Sequence, residues 1–188
     1  SIHSFPTRRS SDLVIHAGIY YAPGSLKADL CKRGAEATKQ FCREHGIKFE
    51  VCGKLLVAST PLEMQRMEAL YARSQLNHLK VERLDADQLR QREPNIIGLG
   101  GLFLDATGIV DYRQVCETMA QVIRRQGGEI CLERTVTAIS EDTDKVTVNT
   151  RGEAWQARHL VVCGGLQSDR LATMEIGRAS CRERVYGE

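Results

Sequence analysis

The chain has 188 residues, of which 42% are hydrophobic, 27% charged and 5% aromatic, and its 26 basic and 24 acidic side chains leave a net charge of +2. That is the composition of a soluble globular domain with enough chain to bury a core, which excludes disorder and a small disulfide scaffold. The near-balanced charge gives no electrostatic footprint for nucleic acid, and no stretch reaches the roughly 20 apolar residues that span a bilayer.

The first 13 and last 14 residues are rich in Ser and Arg and show no apolar period. SFPTRRSSDL (4–13) and EIGRASCRERV (175–185) read as translations of one DNA segment on opposite strands, and that segment resembles a sequencing adapter. Residues 1–13 and 175–188 are therefore expected to be non-native flanks, with a natural segment of about residues 14–174 that continues in both directions. The opening residues also lack the apolar centre of a signal peptide.

VIHAGIYYAP (14–23) is an apolar run holding Gly18 and closed by Pro23, a loop or short strand entering a helix. The helix is predicted from Ser25, its cap, to about His45, with Leu26, Leu30, Ala37, Phe41 and Cys42 on the apolar face and Lys27, Lys32, Arg33, Lys39 and Arg43 opposite. FEVCGKLLVAS (49–59) reads as a strand pair or one bent strand broken at Gly53. Thr60 and Pro61 open a second helix over 62–77. A strand over 79–84 and a short helix in DADQLRQREPN follow, the latter stopped before Pro94.

IIGLGGLFLDATGIVD (96–111) carries four glycines among apolar residues. Its GLGG lacks GxGxxG spacing, so a strand with a bulge or close packing is expected there rather than a phosphate loop. Asp111 caps a helix over 112–126 whose Val115, Met119, Val122 and Ile123 face inward. Five short strand patterns then follow at 129–132, 134–140, 144–150, 154–157 and 159–163. The last, with the unbroken apolar run LVVC, fits a central strand of a parallel sheet. The seven cysteines form no CxxC pair and no metal-ligand spacing, and are expected to be reduced, mostly buried thiols, with no metal bound.

VIHAGIYYAPGSLKADLC, GKLLVAS, REPNIIGLGGLFLDATGIVDYRQV and VVCGGLQSDRLA together resemble the L-2-hydroxyglutarate oxidase (dehydrogenase) family, a branch of the FAD-dependent oxidoreductases that include the D-amino-acid and sarcosine oxidases. The resemblance implies an α/β fold: part of a two-domain, Rossmann-like FAD enzyme with an inserted α+β substrate domain. Residues 14–48 and 111–174 would belong to the FAD-binding domain and 49–110 to the substrate domain. With no GxGxxG and no ribose-binding acid at the end of a second strand, the first βαβ unit is expected to be missing and the chain alone to be inactive.

The resemblance also implies site residues. Val136 would meet the adenine through its main chain, and the turn Cys163-Gly164-Gly165 would lie beside the cofactor phosphates, with Ser168 adding a hydroxyl. His16 would stand near the flavin ring and accept the hydroxyl proton of a 2-hydroxy acid while hydride leaves for flavin N5; an imidazole ordinarily titrates near neutral pH. Tyr21 and Lys54, with Tyr20 and Lys27, are candidates for holding a dicarboxylate. From residue type alone, Val136 and His16 also fit plain packing, the glycines a strand end, and Arg113 a solvated helix.

The implied reaction is oxidation of L-2-hydroxyglutarate to 2-oxoglutarate, with oxygen or a membrane quinone as the final acceptor. The expected location is the cytoplasm, free or peripheral to the inner face of the cytoplasmic membrane. Two alternatives stand beside it: another flavoenzyme of the group, of the glycerol-3-phosphate dehydrogenase or amino-acid oxidase type, and a non-catalytic α/β binding module.

Overall fold

The computed structural model describes residues 13–176. Nearly all of both end segments, Cys181 included, lies outside the described residues. The chain divides into two compact units, Ser1–Gly128 and Glu129–Glu188.

The first unit runs β1 (Val14–Ile15), α1 (Leu26–Glu44), β2 (Phe49–Glu50), β3 (Lys54–Ala58), α2 (Pro61–Leu76), β4 (Val81–Asp85), α3 (Ala86–Arg92), β5 (Gly100–Leu104), β6 (Gly108–Val110) and α4 (Tyr112–Arg125). Each helix starts where a capping side chain satisfies a free N–H of the first turn. Ser25 Oγ accepts from Ala28 N at 3.2 Å, and Asp111 accepts from Arg113 N at 3.0 Å. At α2 and α3 the cap is reciprocal, Thr60 with Glu63 and Asp85 with Gln88.

The N–H of Ser59 holds the Glu63 carboxyl below its ordinary range, helped by the N–H and hydroxyl of Thr60 and by Arg66. A carboxyl depressed on folding contributes stability that is present above its unfolded pKa and is lost as pH falls through the folded value. Acidification through the carboxylate range is therefore expected to lower the melting temperature, and Glu63→Gln to flatten that acid limb. Paired melts of the two proteins across pH check this.

The strands of this unit form two antiparallel sheets, ordered β1-β6-β2 and β3-β5-β4. β5 is central, and its two faces are covered by different helices. Met64 of α2 lies against Gly100, while Leu89 of α3 approaches Gly101 and Arg92 stacks on the Phe103 ring. A Cβ at Gly100 would stand 2.9 Å from the Leu84 carbonyl oxygen, and one at Gly101 3.0 Å from that of Leu56. GLGG is thus close strand packing, as its spacing implied. One core cluster joins Ile15, Cys42, Ile47, Val110 and Val115; another joins Ile19, Ala58, Met67, Leu102 and Leu104.

The second unit is an antiparallel meander, β7 (Val136–Glu141), β8 (Val146–Thr150) and β9 (Ala154–Ala157), followed by a single 3-10 turn, Gly165–Gln167, and α5 (Ser168–Ile176). The molecule is a mixed α/β structure, as expected.

Several expectations are corrected. Residues 129–132 and 159–163 are not strands, and every strand pair among the described residues is antiparallel. An apolar run becomes a strand only where a neighbouring strand takes up its N–H and C=O groups. No described strand does so for LVVC, and Val161 is 81% exposed. On α4 only Val115 is buried, while Met119 and Ile123 are 46% and 43% exposed, because no described element covers the far end of that stripe. Lys39, assigned to the polar face of α1, is buried and paired with Glu36. Of the six described cysteines, all free, Cys42 is buried and Cys31 half-buried, but Cys52, Cys116, Cys131 and Cys163 are exposed; a small thiol follows the face its element presents. Burial raises the pKa of Cys31 and Cys42. No described helix is long and apolar enough to cross a membrane.

Candidate functional site

Two sheet registers and one clamped loop build a cavity in the first unit. Pairing of Ile15 with Gly108 brings the segment after β1 alongside the residue before β6. Pairing of Lys54 with Leu104 sets the start of β3 beside the end of β5. The Gly53 N–H donates to the Thr107 carbonyl at 2.9 Å, which ties these two corners together.

The segment 16–21 is held by its main chain. Cys31 Sγ donates to the His16 carbonyl at 3.4 Å, and Tyr21 N–H closes a turn on the Gly18 carbonyl at 3.2 Å. From α2 and its cap, Arg73 donates to the Tyr20 carbonyl at 3.2 Å and Asn77 to the Tyr21 carbonyl at 2.9 Å. Gly18 sits at φ +83°, and a Cβ there would press on Cys31 Sγ at 3.2 Å, so the turn favours glycine. With the backbone fixed, the side chains of this loop are free to line a cleft.

That cleft has a volume of about 160 Å3 and is lined by His16, Ala17, Gly18, Ile19, Tyr20, Tyr21, Lys54, Leu104 and Thr107. His16, Tyr21 and Lys54, singled out from sequence on separate segments, therefore meet in one place. The lining carries one ammonium and no carboxylate, so it favours an anionic ligand. Lys54 Nζ lies 5.3 Å from the Tyr20 ring centroid, a cation–π contact that keeps the ammonium over the cleft. The volume falls below the roughly 300–1,000 Å3 of sites for drug-sized ligands, which suits a small acid. Tyr20, although exposed, is among the lining residues, whereas Lys27 and Arg113 are not.

Thr107 is the member of this lining that residue patterning passes over. Only the β5–β6 geometry places it there.

The remaining candidates lie in the second unit. Val136 opens β7, pairs with Thr150 and lines a concavity of about 310 Å3 with Arg134, Val148 and Trp155 among others. β7 is an edge strand, so main-chain groups on its outer side have no ladder partner among the described strands and can meet a planar hydrogen-bonding edge such as adenine. Cys163 is exposed on the loop that follows, and Gly165, at φ +53° with no atom within 4 Å of where a Cβ would stand, leaves backbone open to a close ligand. Ser168 Oγ donates to the Gly165 carbonyl at 2.8 Å, so its proton is already used and only its lone pairs are available. Lone pairs cannot meet an anionic phosphate, so Ser168 does not fit the hydroxyl donor expected of it, whereas main chain at Val136 and Gly165 is of the kind that adenine and phosphate contacts need. Cys163, Gly164, Gly165 and Ser168 do not line the Val136 concavity. Among the described residues no cluster of His, Cys, Asp or Glu could hold a metal.

Comparisons with known proteins show the family and the fold. The family described as "DAO: FAD dependent oxidoreductase" matches residues 7–187. The chain is 49% identical over 162 residues to L-2-hydroxyglutarate dehydrogenase of Escherichia coli K12, covering 86% of this chain and 38% of that protein. To the mitochondrial L-2-hydroxyglutarate dehydrogenase of Homo sapiens it is 37% identical over 174 residues, with 86% and 38% covered. The chain thus spans less than half the length of these relatives. Among solved structures, the FAD-bound L-alpha-glycerophosphate oxidase of Mycoplasma pneumoniae matches with a TM-score of 0.77 at 21% identity over 92% of this chain and 48% of that one. Glycine oxidase of Geobacillus kaustophilus matches at 0.76 and 17% identity, over 86% and 46%. At those identities the structures share the fold.

Proposed function

Because the chain belongs to the family of FAD-dependent oxidoreductases, we propose that it forms part of a flavoenzyme that oxidises L-2-hydroxyglutarate to 2-oxoglutarate. The observation that carries the reading is the convergence of His16, Tyr21 and Lys54 on one small cleft with a cation and no carboxylate. The 49% identity to a protein named for that substrate supports it.

In this reading Lys54 pairs with a substrate carboxylate, and the Tyr21 hydroxyl adds a hydrogen bond that fixes its orientation. An imidazole nitrogen of His16 takes the proton of the C2 hydroxyl as the C2–H bond breaks, leaving a carbonyl at C2. FAD, when bound, supplies the acceptor for the hydride that leaves C2. The main chain of Val136 and the Cys163-Gly164-Gly165 turn would hold its adenine and phosphates, while Ser168, its proton committed to the Gly165 carbonyl, would not donate to them. Residues 14–48 and 111–174 would then be part of the FAD-binding domain and 49–110 part of the substrate domain, with His16 and Tyr21 of the first segment facing the substrate.

The test is anaerobic addition of L-2-hydroxyglutarate to the full-length, FAD-loaded protein. Loss of the oxidised flavin absorbance is expected. An unbleached spectrum, with bleaching by glycerol 3-phosphate or an amino acid instead, would move the protein to another branch of the family. For the second half-reaction we propose oxygen or a membrane quinone, with the protein in the cytoplasm or at the inner membrane face. Reoxidation rates with dissolved oxygen and with a soluble quinone separate these acceptors.

A further inference from the structure

Three polar side chains are buried among the described residues: Lys39, Ser74 and Thr107. Lys39 pairs with Glu36, and Ser74 Oγ donates to the Tyr71 carbonyl at 2.7 Å. Thr107 is 4% exposed, and its hydroxyl makes no hydrogen bond to another described residue. No side-chain oxygen fully sealed from solvent is left without a partner among those residues, so the Thr107 hydroxyl is not fully sealed, and Thr107 lines the cleft. A buried hydroxyl without a partner is costly unless something in the cavity meets it.

Its position says what that something is. The Gly53 N–H grips the Thr107 carbonyl, and Gly53 immediately precedes Lys54. The hydroxyl donor and the ammonium are thus carried on two strand ends tied to each other and open into one cleft. A hydroxyl and an ammonium in one small lining that holds no carboxylate are donors suited to an anionic oxygen group.

Resting on the reading that a hydroxy acid occupies this cleft, we propose that Thr107 contacts the substrate: its hydroxyl donates a hydrogen bond to the carboxylate that Lys54 pairs with. Patterning did not single out this residue, and the assignment goes beyond the roles given to His16, Tyr21 and Lys54. Thr107 acts on binding rather than on the proton or hydride that moves.

The test uses the full-length, FAD-loaded protein and its Thr107→Val and Thr107→Ser variants. Valine keeps the branched shape and removes the donor; serine restores the donor. Three readouts are taken: the Kd of 2-oxoglutarate from the change it causes in the flavin spectrum, KM and kcat with L-2-hydroxyglutarate, and the melting temperature. Loss of one hydrogen bond to a charged group is expected to raise Kd and KM about tenfold in Thr107→Val. The same variant should change kcat far less, leave the melting temperature in place, and have its binding restored by Thr107→Ser. Adding Lys54→Met to Thr107→Val should raise Kd by less than the product of the single effects, since both donors serve one carboxylate.

Unchanged Kd and KM in Thr107→Val would overturn the assignment while leaving the parent reaction intact. A rise in Kd accompanied by a lowered melting temperature and no rescue by serine would overturn it in favour of packing. A wild-type protein that neither binds 2-oxoglutarate nor bleaches with L-2-hydroxyglutarate would sink the substrate reading, and the Thr107 contact with it.

Discussion

His16→Gln in the full-length, FAD-loaded enzyme is expected to slow anaerobic flavin reduction by L-2-hydroxyglutarate by about 10²-fold or more, the usual loss on removing a general base. Glutamine keeps a polar side chain of similar reach but cannot take up a proton. The loop should survive the change, because its anchors are main-chain groups: the His16 carbonyl receives Cys31 Sγ, and the Tyr20 and Tyr21 carbonyls receive Arg73 and Asn77. Single-turnover stopped-flow at saturating substrate reads the step directly, and the flavin content of the purified variant controls for cofactor loss. A rate matching the parent's would leave His16 as a packing residue. Lys54→Met should behave differently in the same assay, raising the substrate concentration for half-maximal rate while leaving the plateau near that of the parent.

The contrast between those two residues and Thr107 reflects what a sequence can carry. Helix starts were legible because a cap is local: Ser25, Thr60 with Glu63, and Asp111 each act within three residues of the first turn. His16, Tyr21 and Lys54 were legible through family resemblance, yet their meeting in one cleft depends on the Ile15–Gly108 and Lys54–Leu104 registers. Thr107 has neither a local rule nor a motif and becomes visible only once β5 turns into β6. The run LVVC fails in the opposite direction: it has every local mark of a buried strand, but the strand state belongs to a pair, and no described strand is its partner. Met119 and Ile123 repeat that lesson for a helix, since an apolar stripe states which face can be covered and not what covers it. A main-chain role for Val136 and a close backbone approach at the Cys163-Gly164-Gly165 turn were implied by resemblance, whereas the edge position of β7 and the engagement of Ser168 with the Gly165 carbonyl needed coordinates.

Leu102→Ala is expected to destabilise the first unit by about 2–5 kcal/mol, the range for truncating a fully buried leucine. Leu102 is 2% exposed at the centre of β5, facing Leu56 on β3 and Arg83 on β4 across the two ladders. Alternation along the strand puts Gly100, Leu102 and Leu104 on one face and Gly101 and Phe103 on the other. The first face packs with Ala58, Met67 and Ile19, and the second meets α3. With helices on both sides of a central strand, neither layer can close over the lost side chain without moving the other, so the cavity term is large. Met119→Ala on the uncovered stripe of α4 should cost far less, because much of its surface already faces solvent. Urea titrations of the two variants decide the matter: a large drop in midpoint at unchanged slope for Leu102→Ala, with a small one for Met119→Ala, is the expected pattern. Equal shifts would mean that β5 is not the buried centre of its sheet. The consequence reaches the cleft, since Leu104 and Ile19 belong both to the core cluster with Leu102 and to the wall that faces His16 and Lys54. Leu102→Ala should therefore also weaken substrate binding, through a residue that touches no ligand.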